Sequence, residues 1–389
     1  MPRPTGTYHL SGPPDEPVRA FVPHALPPDN PPIRLDGDLE RKHEQAIAAI
    51  GRLVVAGRMV PSAPWFLYGF VRKEALVSSQ IEGTQATLDD VVAFEATRRA
   101  ERPADVEEVC NYVEALRYAR AQLASPKGLP VCSRLLAEAH ARLMRGVRGA
   151  GKQPGRIRTS QNWIGGSRPG NARFVPPPPE RVPELLGDLD RWLHAEDRLP
   201  PLIRAGLAHV QFETIHHFLD GNGRIGRLLI TLLVQHWGLM EEPLLYLSLA
   251  FKRHRAAYYE RLAAVRTAGD WEGWLAFFLD GVVEAADDGV QAATRIFRLV
   301  NEDRRRLMEH DAATVSVLRL LDLLPEHPMM TLPLATELLR INKVTAQRSI
   351  AVLEDAKVLH EITGKARDRV YAYRRYLDVL GEDTAAIDS

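Results

Sequence analysis

Between His209 and Val234 the chain reads HVQFETIHHFLDGNGRIGRLLITLLV, a helix, a tight loop and a second helix. No other stretch restricts the fold as closely. Gly221 and Gly223 admit positive φ and let a ligand approach the backbone. From Gly223 the pattern is strongly helical, so the loop amides sit at a helix N-terminus, where unpaired N–H groups and the helix dipole favour an anion. Asn222 offers a side-chain donor. Arg224 and Arg227 are three residues apart and share a helix face, where each guanidinium can hold phosphate oxygens with two donors. Asp220 stands directly before these donors. A carboxylate facing phosphates points to Mg²⁺, and a plain helix cap is the other reading. His216 ends the first helix, where an imidazole can accept a proton from a hydroxyl attacking a bound phosphate. His217 is the rival base, although adjacent residues face different sides of a helix. Phe218 is expected to plug the core and fix the loop.

The segments around this loop are mostly helical. Residues 1–36 hold ten of the 28 prolines and should form an extended arm. Helical spacing begins near Leu39 and returns over about 70–98, with Gly83 as a break and Thr87 as a fresh cap before Asp89 and Asp90. Further helices are expected at about 104–124, 131–147, 180–195, 200–216, 223–238 and 270–306. Residues 152–179 carry four glycines and six prolines and read as a β-hairpin with an extended exit. After residue 310 the pattern changes again: three short helices over 311–325, 331–339 and 343–356, then alternation about a Gly-Lys turn. Three helices and a hairpin make a winged helix-turn-helix. Residues 340–375 contain nine Lys/Arg and four Asp/Glu, a local +5 in a chain whose formal net charge is zero. DNA contact through 343–375, read by Thr345, Gln347 and Arg348, is therefore one candidate function. The expected organisation is a Pro-rich arm at 1–36, a helical region at 37–125, a core at 126–306 and a winged helix at 311–389.

The motif HHFLDGNGRIGR at 216–227 resembles that of the Fic family, HPFx(D/E)GNGRxxR, with His217 in the place of the family's proline. SSQIEGTQATLDD at 78–90 resembles the family's inhibitory motif (S/T)xxxE(G/N), filled by Ser78, Glu82 and Gly83. RTSQNWIGGSRPGNARFVPPPP at 158–179 is similar to the flap that aligns a target protein, with Asn162, Trp163, Ile164 and Gly165 at the docking edge. The stretch 245–279 resembles the helical continuation, with His254 near the adenine where relatives often carry Asn. The match spans roughly residues 20–300, and the appended winged helix is similar to that of a bacterial subgroup.

The resemblance implies a mainly α Fic fold, a helical bundle with a hairpin flap, and protein adenylylation. AMP would pass from ATP to a Ser, Thr or Tyr hydroxyl, on a target or on the protein itself, and pyrophosphate would leave. His216 would be the base, Asp220 would hold Mg²⁺, and Phe218, Gly221, Asn222, Gly223, Arg224 and Arg227 would form the nucleotide loop. Glu82 would repress transfer by offering Arg227 an internal partner, and homodimer formation would tune that repression. Removal of AMP, or transfer of another phosphate-containing group, are alternatives at the same site.

Composition supplies limits. Apolar residues make up 45% and charged residues 26%, ordinary for a globular protein. Cys110 and Cys132 have no metal spacing and form no disulfide framework, which suits a cytoplasmic setting. Neither a secretory leader nor a membrane-spanning stretch is expected.

Overall fold

In a computed structural model of the chain, residues 3–11, 17–59, 63–97 and 103–386 are described. Strands β1 (Gly6–Ser11) and β2 (Val18–Pro23) come first. The helices α1 (Gly37–Met59), α2 (Ala63–Ile81), α3 (Leu88–Thr97), α4 (Pro103–Ala124) and α5 (Ser133–Leu143) follow. Next come α6 (Val182–His194), α7 (Pro201–Ile215), α8 (Asn222–His236), α9 (Ser248–Arg253), α10 (Arg255–Ala268) and α11 (Trp271–Met308). The C-terminal elements are α12 (Val315–Leu323), β3 (Met329–Thr331), α13 (Leu332–Leu339), α14 (Lys343–Asp355), β4 (His360–Glu361), β5 (Val370–Ala372) and α15 (Arg374–Gly381).

Two compact units result, residues 1–50 with 111–285, and residues 51–110 with 286–389. The first is built on α7 and α8. From Leu202 to Phe212 every residue of α7 is buried, and α8 is buried from Arg224 to Val234. A helix that is apolar nearly all round belongs in a core. Gly206 permits that closeness, since a methyl group there would stand 3.0 Å from the Phe278 ring. Trp274 donates its indole N–H to the Gly206 carbonyl at 2.9 Å. His209, also buried, donates from Nδ1 to the Gly226 carbonyl and accepts the Tyr258 hydroxyl at Nε2. Burial pushes its pKa down to about 3.

Among the described residues of the proline-rich arm, the extended stretches form two paired strands. Strands β1 and β2 pair antiparallel, Phe21 N–H donates to the Val175 carbonyl at 2.9 Å, and Val18 and Ala20 pack on Val175. The segment expected as a β-hairpin contains a single bridge, Ile164 to Phe174, with a 3₁₀ turn at Pro169–Asn171. Its prolines and glycines fix turns and remove donors, so no ladder extends from that bridge.

The second unit joins 51–110, which carries the SxxxEG stretch, to the C-terminal elements. Tyr376 donates to the Pro325 carbonyl at 2.9 Å, Leu380 packs on Gly69, and Arg374 pairs with Asp89. Asp303, fully buried, accepts from Tyr373 at 2.7 Å and from Arg375 at 2.8 Å. The three C-terminal strands form an antiparallel sheet in the order β3-β5-β4 beside α12, α13 and α14. The alternation after residue 357 announced β4 and β5 but gave no sign of β3 or α15. Among the described residues no helix is long and apolar enough to cross a membrane.

Candidate active site

His216 caps the C-terminus of α7 in the left-handed region, φ 48° and ψ 58°. For a residue with a Cβ this conformation is uncommon and is held only by its surroundings. Those surroundings centre on Arg158, 1% exposed. Its Nε donates to the His216 carbonyl at 2.9 Å, Nη1 to the Ser160 carbonyl at 3.2 Å, and Nη2 to the Pro177 carbonyl. Its backbone N–H donates to the His217 carbonyl at 2.9 Å. One guanidinium thus ties both ends of the flap segment to the backbone of the candidate base. Burial without a contacting carboxylate lowers its pKa to about 10, so it stays charged at neutral pH.

The loop after His216 is held from inside. Asn222 accepts the Phe218 N–H at Oδ1 (2.9 Å) and donates from Nδ2 to the Phe218 carbonyl (2.8 Å). Its side chain clasps the loop with Oδ1 and one of the two Nδ2 hydrogens, a structural role beside the donation to phosphate that the sequence suggested. Phe218 is fully buried, stacked on His140 with ring centroids 3.7 Å apart. It plugs the core, as its apolar character suggested, and cannot be the nucleotide contact that the resemblance implied. His217 is 1% exposed, and neither ring nitrogen has a hydrogen-bond partner. It is a neutral core residue whose pKa burial holds well below its ordinary value, which removes it as a rival base.

His140 went unnoticed in the sequence. Gly155 N–H donates to its Nδ1 at 2.9 Å, which fixes the neutral tautomer with the proton on Nε2, and Nε2 donates to the Asp220 carbonyl at 2.9 Å. Burial pushes its pKa down to about 4. The signal was faint: a lone histidine on an amphipathic helix reads as core.

Gly221 begins α8 with φ 77°, and a methyl group there would stand 3.0 Å from Met144 Sδ and 3.1 Å from His140 Nε2. Gly223 is different from expectation. It lies inside the first turn of α8, without a positive φ, so only Gly221 uses the glycine freedom. The first hydrogen bond of the helix runs from Ile225 N–H to the Gly221 carbonyl at 3.2 Å. The amides of Asn222 and Gly223 precede that ladder, at the positive end of a fifteen-residue helix. Arg224 and Arg227 lie one turn further on, 3% and 2% exposed. Asp220 accepts the Gly221 N–H at 2.6 Å and faces Arg224 Nη2 at 3.6 Å, with its side chain 42% exposed.

This donor set suits a hard divalent cation only in part. Among the described residues no three His, Cys, Asp or Glu side chains converge as a metal cage. One exposed carboxylate beside an anion-binding helix end fits Mg²⁺ that draws its other oxygens from phosphate and water.

The flap residues border this loop. Asn162 donates from Nδ2 to the Phe218 carbonyl at 3.2 Å and accepts the Trp163 N–H at Oδ1. Asn162 is thus a loop anchor as much as a docking residue. Trp163 and Ile164 are 38% and 40% exposed. His254, at the junction of α9 and α10, is exposed and pairs with Glu284 at 3.0 Å. Ser78 is buried in α2, and Glu82 is exposed just past its end, before Gly83 at φ 100°.

Comparison with known proteins matches two stretches of the sequence to family models. Residues 40–121 match the model described as Fic/DOC family, N-terminal, and residues 130–234 match that of the Fic/DOC family. A protein adenylyltransferase of Caenorhabditis elegans is 35% identical over 133 residues, 34% of this chain and 24% of that protein. A protein adenylyltransferase Fic of Nematostella vectensis is 28% identical over 240 residues, 60% of this chain and 52% of that protein. The chain thus spans about a quarter to a half of these relatives' lengths. The fold resembles the crystal structure of a Fic family protein from Desulfovibrio desulfuricans, with TM-score 0.57 and 22% identity over 88% of this chain and 97% of that one.

Proposed function

Because the chain carries the Fic/DOC family domain, we propose that it is a protein adenylyltransferase acting through the loop from His216 to Arg227. The observation that supports this most is the joint placement of a strained imidazole at the end of α7 and an anion-binding helix start six residues later. ATP lays its phosphates against the Gly221–Gly223 backbone, with Arg224 and Arg227 balancing their charge. A target hydroxyl approaches the α-phosphorus, and His216 takes its proton as the new P–O bond forms. The bond from the α-phosphorus to the bridging oxygen breaks, and pyrophosphate leaves. Asp220 would hold Mg²⁺, which would supply charge neutralisation on the phosphate oxygens. His216 need not move, because Arg158 holds its backbone and the Asn222 clasp holds the next turn. Such a fixed base is typically worth ~10²–10⁴ in rate.

The target lies along the flap. Trp163 and Ile164 are exposed at a segment with only one bridge, so an extended stretch of a target protein can add beside them through main-chain bonds. Ser78, Glu82 and Gly83 form the repressing element, with Glu82 competing with the terminal phosphate for Arg227. The C-terminal elements, α12 to β5, are a winged helix-turn-helix.

Purified protein with Mg²⁺ and ATP labelled at the α- or γ-phosphate tests the reaction class. Transfer of α-label to protein, increased by Glu82→Gly, is the expected result. Transfer of γ-label, or release of AMP from a modified partner without any labelling, contradicts it.

A further inference from the structure

We propose that the exposed face of α14 together with the β4–β5 wing is a binding surface for duplex DNA. The claim stands independently of AMP transfer.

The first observation is a set of cations without counter-ions. Lys343 and Arg348 on α14, and Lys365 and Arg367 on the wing, are exposed and make no ion pair among the described residues. The neighbouring basic residues behave differently. Arg374 pairs with Asp89, and Arg375 with Asp303 at 2.8 Å and Glu302 at 3.2 Å. The carboxylates near the wing are mostly engaged: Glu361 accepts from the Thr363 and Gly364 amides, and Asp355 faces His310. Asp368 is the one carboxylate in the groove described below.

The second observation is the charge order along α14. It has no acid in its first turn and no base in its last. Lys343 and Arg348 occupy its first half, and Glu354 and Asp355 its end. The helix dipole favours the opposite order. An intrinsic gain for α14 therefore does not explain the arrangement, whereas an external polyanion facing its first half does.

The third is shape. Between α14 and the wing lies a groove of about 520 Å³, bordered by Lys343, Gln347, Arg367, Arg369 and Tyr371. Gln347 is a base-reading side chain flanked by phosphate-binding ones, with Val344 exposed beside it for apolar contact. Asn342 caps the helix and holds its start, accepting the Thr345 N–H at 2.9 Å. A duplex offers phosphates on two strands, and the cations here stand on two elements, a helix and a wing, on either side of the groove. An acidic peptide would need only the charge.

Fluorescence anisotropy of the full chain with a labelled mixed-sequence duplex of about two helical turns tests this. Binding is expected at micromolar protein in about 50 mM salt, weakening by about 10² by 200 mM, as four phosphate contacts require. Lys343→Ala with Arg348→Ala, and separately Lys365→Ala with Arg367→Ala, should each lower affinity more than about tenfold and reduce the salt slope by about two. All four side chains are exposed, and Arg369, which donates to the Lys365 carbonyl to shape the wing, is left intact. No binding at low salt overturns the proposal. So does binding that both double variants retain, or binding that poly-glutamate of equal charge displaces as readily as unlabelled duplex.

Discussion

The side-chain amide of Gln80 donates to the carbonyl of Thr384, 304 residues later in the chain, at 2.9 Å, and to that of Ala86 at 3.0 Å. Gln80 lies between Ser78 and Glu82, so the C-terminal tail fastens the turn that carries the proposed repressing motif. A buried bond of this kind contributes about 1 kcal/mol. Ending the chain after Gly381 should therefore let the end of α2 loosen and raise AMP transfer about two- to tenfold, less than Glu82→Gly does. α-Label incorporation reads this, and a truncated chain with unchanged melting and unchanged transfer would argue against it.

Arg158 joins three carbonyls to one side chain. Lysine keeps the charge but cannot reproduce that planar fork. Arg158→Lys is expected to lower kcat at least tenfold while the KM for ATP changes less than about threefold, because His216 loses its position and the phosphate loop does not. Steady-state kinetics separate the two. An equal loss in both constants would mean that the loop itself has collapsed.

Gly221→Ala places a methyl group against Met144 and His140 in a backbone conformation with φ 77°. The strain, about 1–2 kcal/mol, falls on the start of α8. Nucleotide binding, followed by calorimetry, should weaken at least tenfold while circular dichroism stays that of the parent.

Three buried histidines make stability fall in acid. Burial holds His140 at about 4, His209 at about 3, and His217 well below its ordinary value. Above pH 6.5 folded and unfolded chains are both neutral at these rings. Below it the unfolded chain binds protons that the native chain refuses, so stability is lost progressively as pH falls from about 6.5 towards 4. Three such groups give a slope of up to about 4 kcal/mol per pH unit. His217→Leu removes one of them together with two unpartnered ring nitrogens. It should flatten the slope by about a third and leave transfer intact. Urea titrations between pH 7.5 and 5 measure the slope and α-label incorporation measures the transfer; a parental slope in the variant would count against His217 as a proton-refusing core group.

Much of the site was legible because it is local. A twelve-residue motif fixes its own loop, and the positions of α7 and α8 follow from helical spacing and from Gly221 between them. What the sequence hid was the support. Arg158 and His140 act through bonds to carbonyls 58 and 80 residues away, and carbonyls leave no mark in a sequence. Phe218 and Asn222 were visible as motif members, yet only burial and pairing show that both hold the loop from inside. The flap misled in another way: glycine and proline signal turns well, but they do not say whether a ladder will form between them. Strand β3 is three residues long and carries no alternation to read.

His216 as the base is tested most directly by single-turnover transfer of α-labelled AMP in a Glu82→Gly background, with and without His216→Ala. A loss of ~10²–10⁴ in rate is expected, with nucleotide affinity within about threefold of the parent. Transfer at the parental rate by the His216→Ala protein would contradict a proton-accepting role for this imidazole.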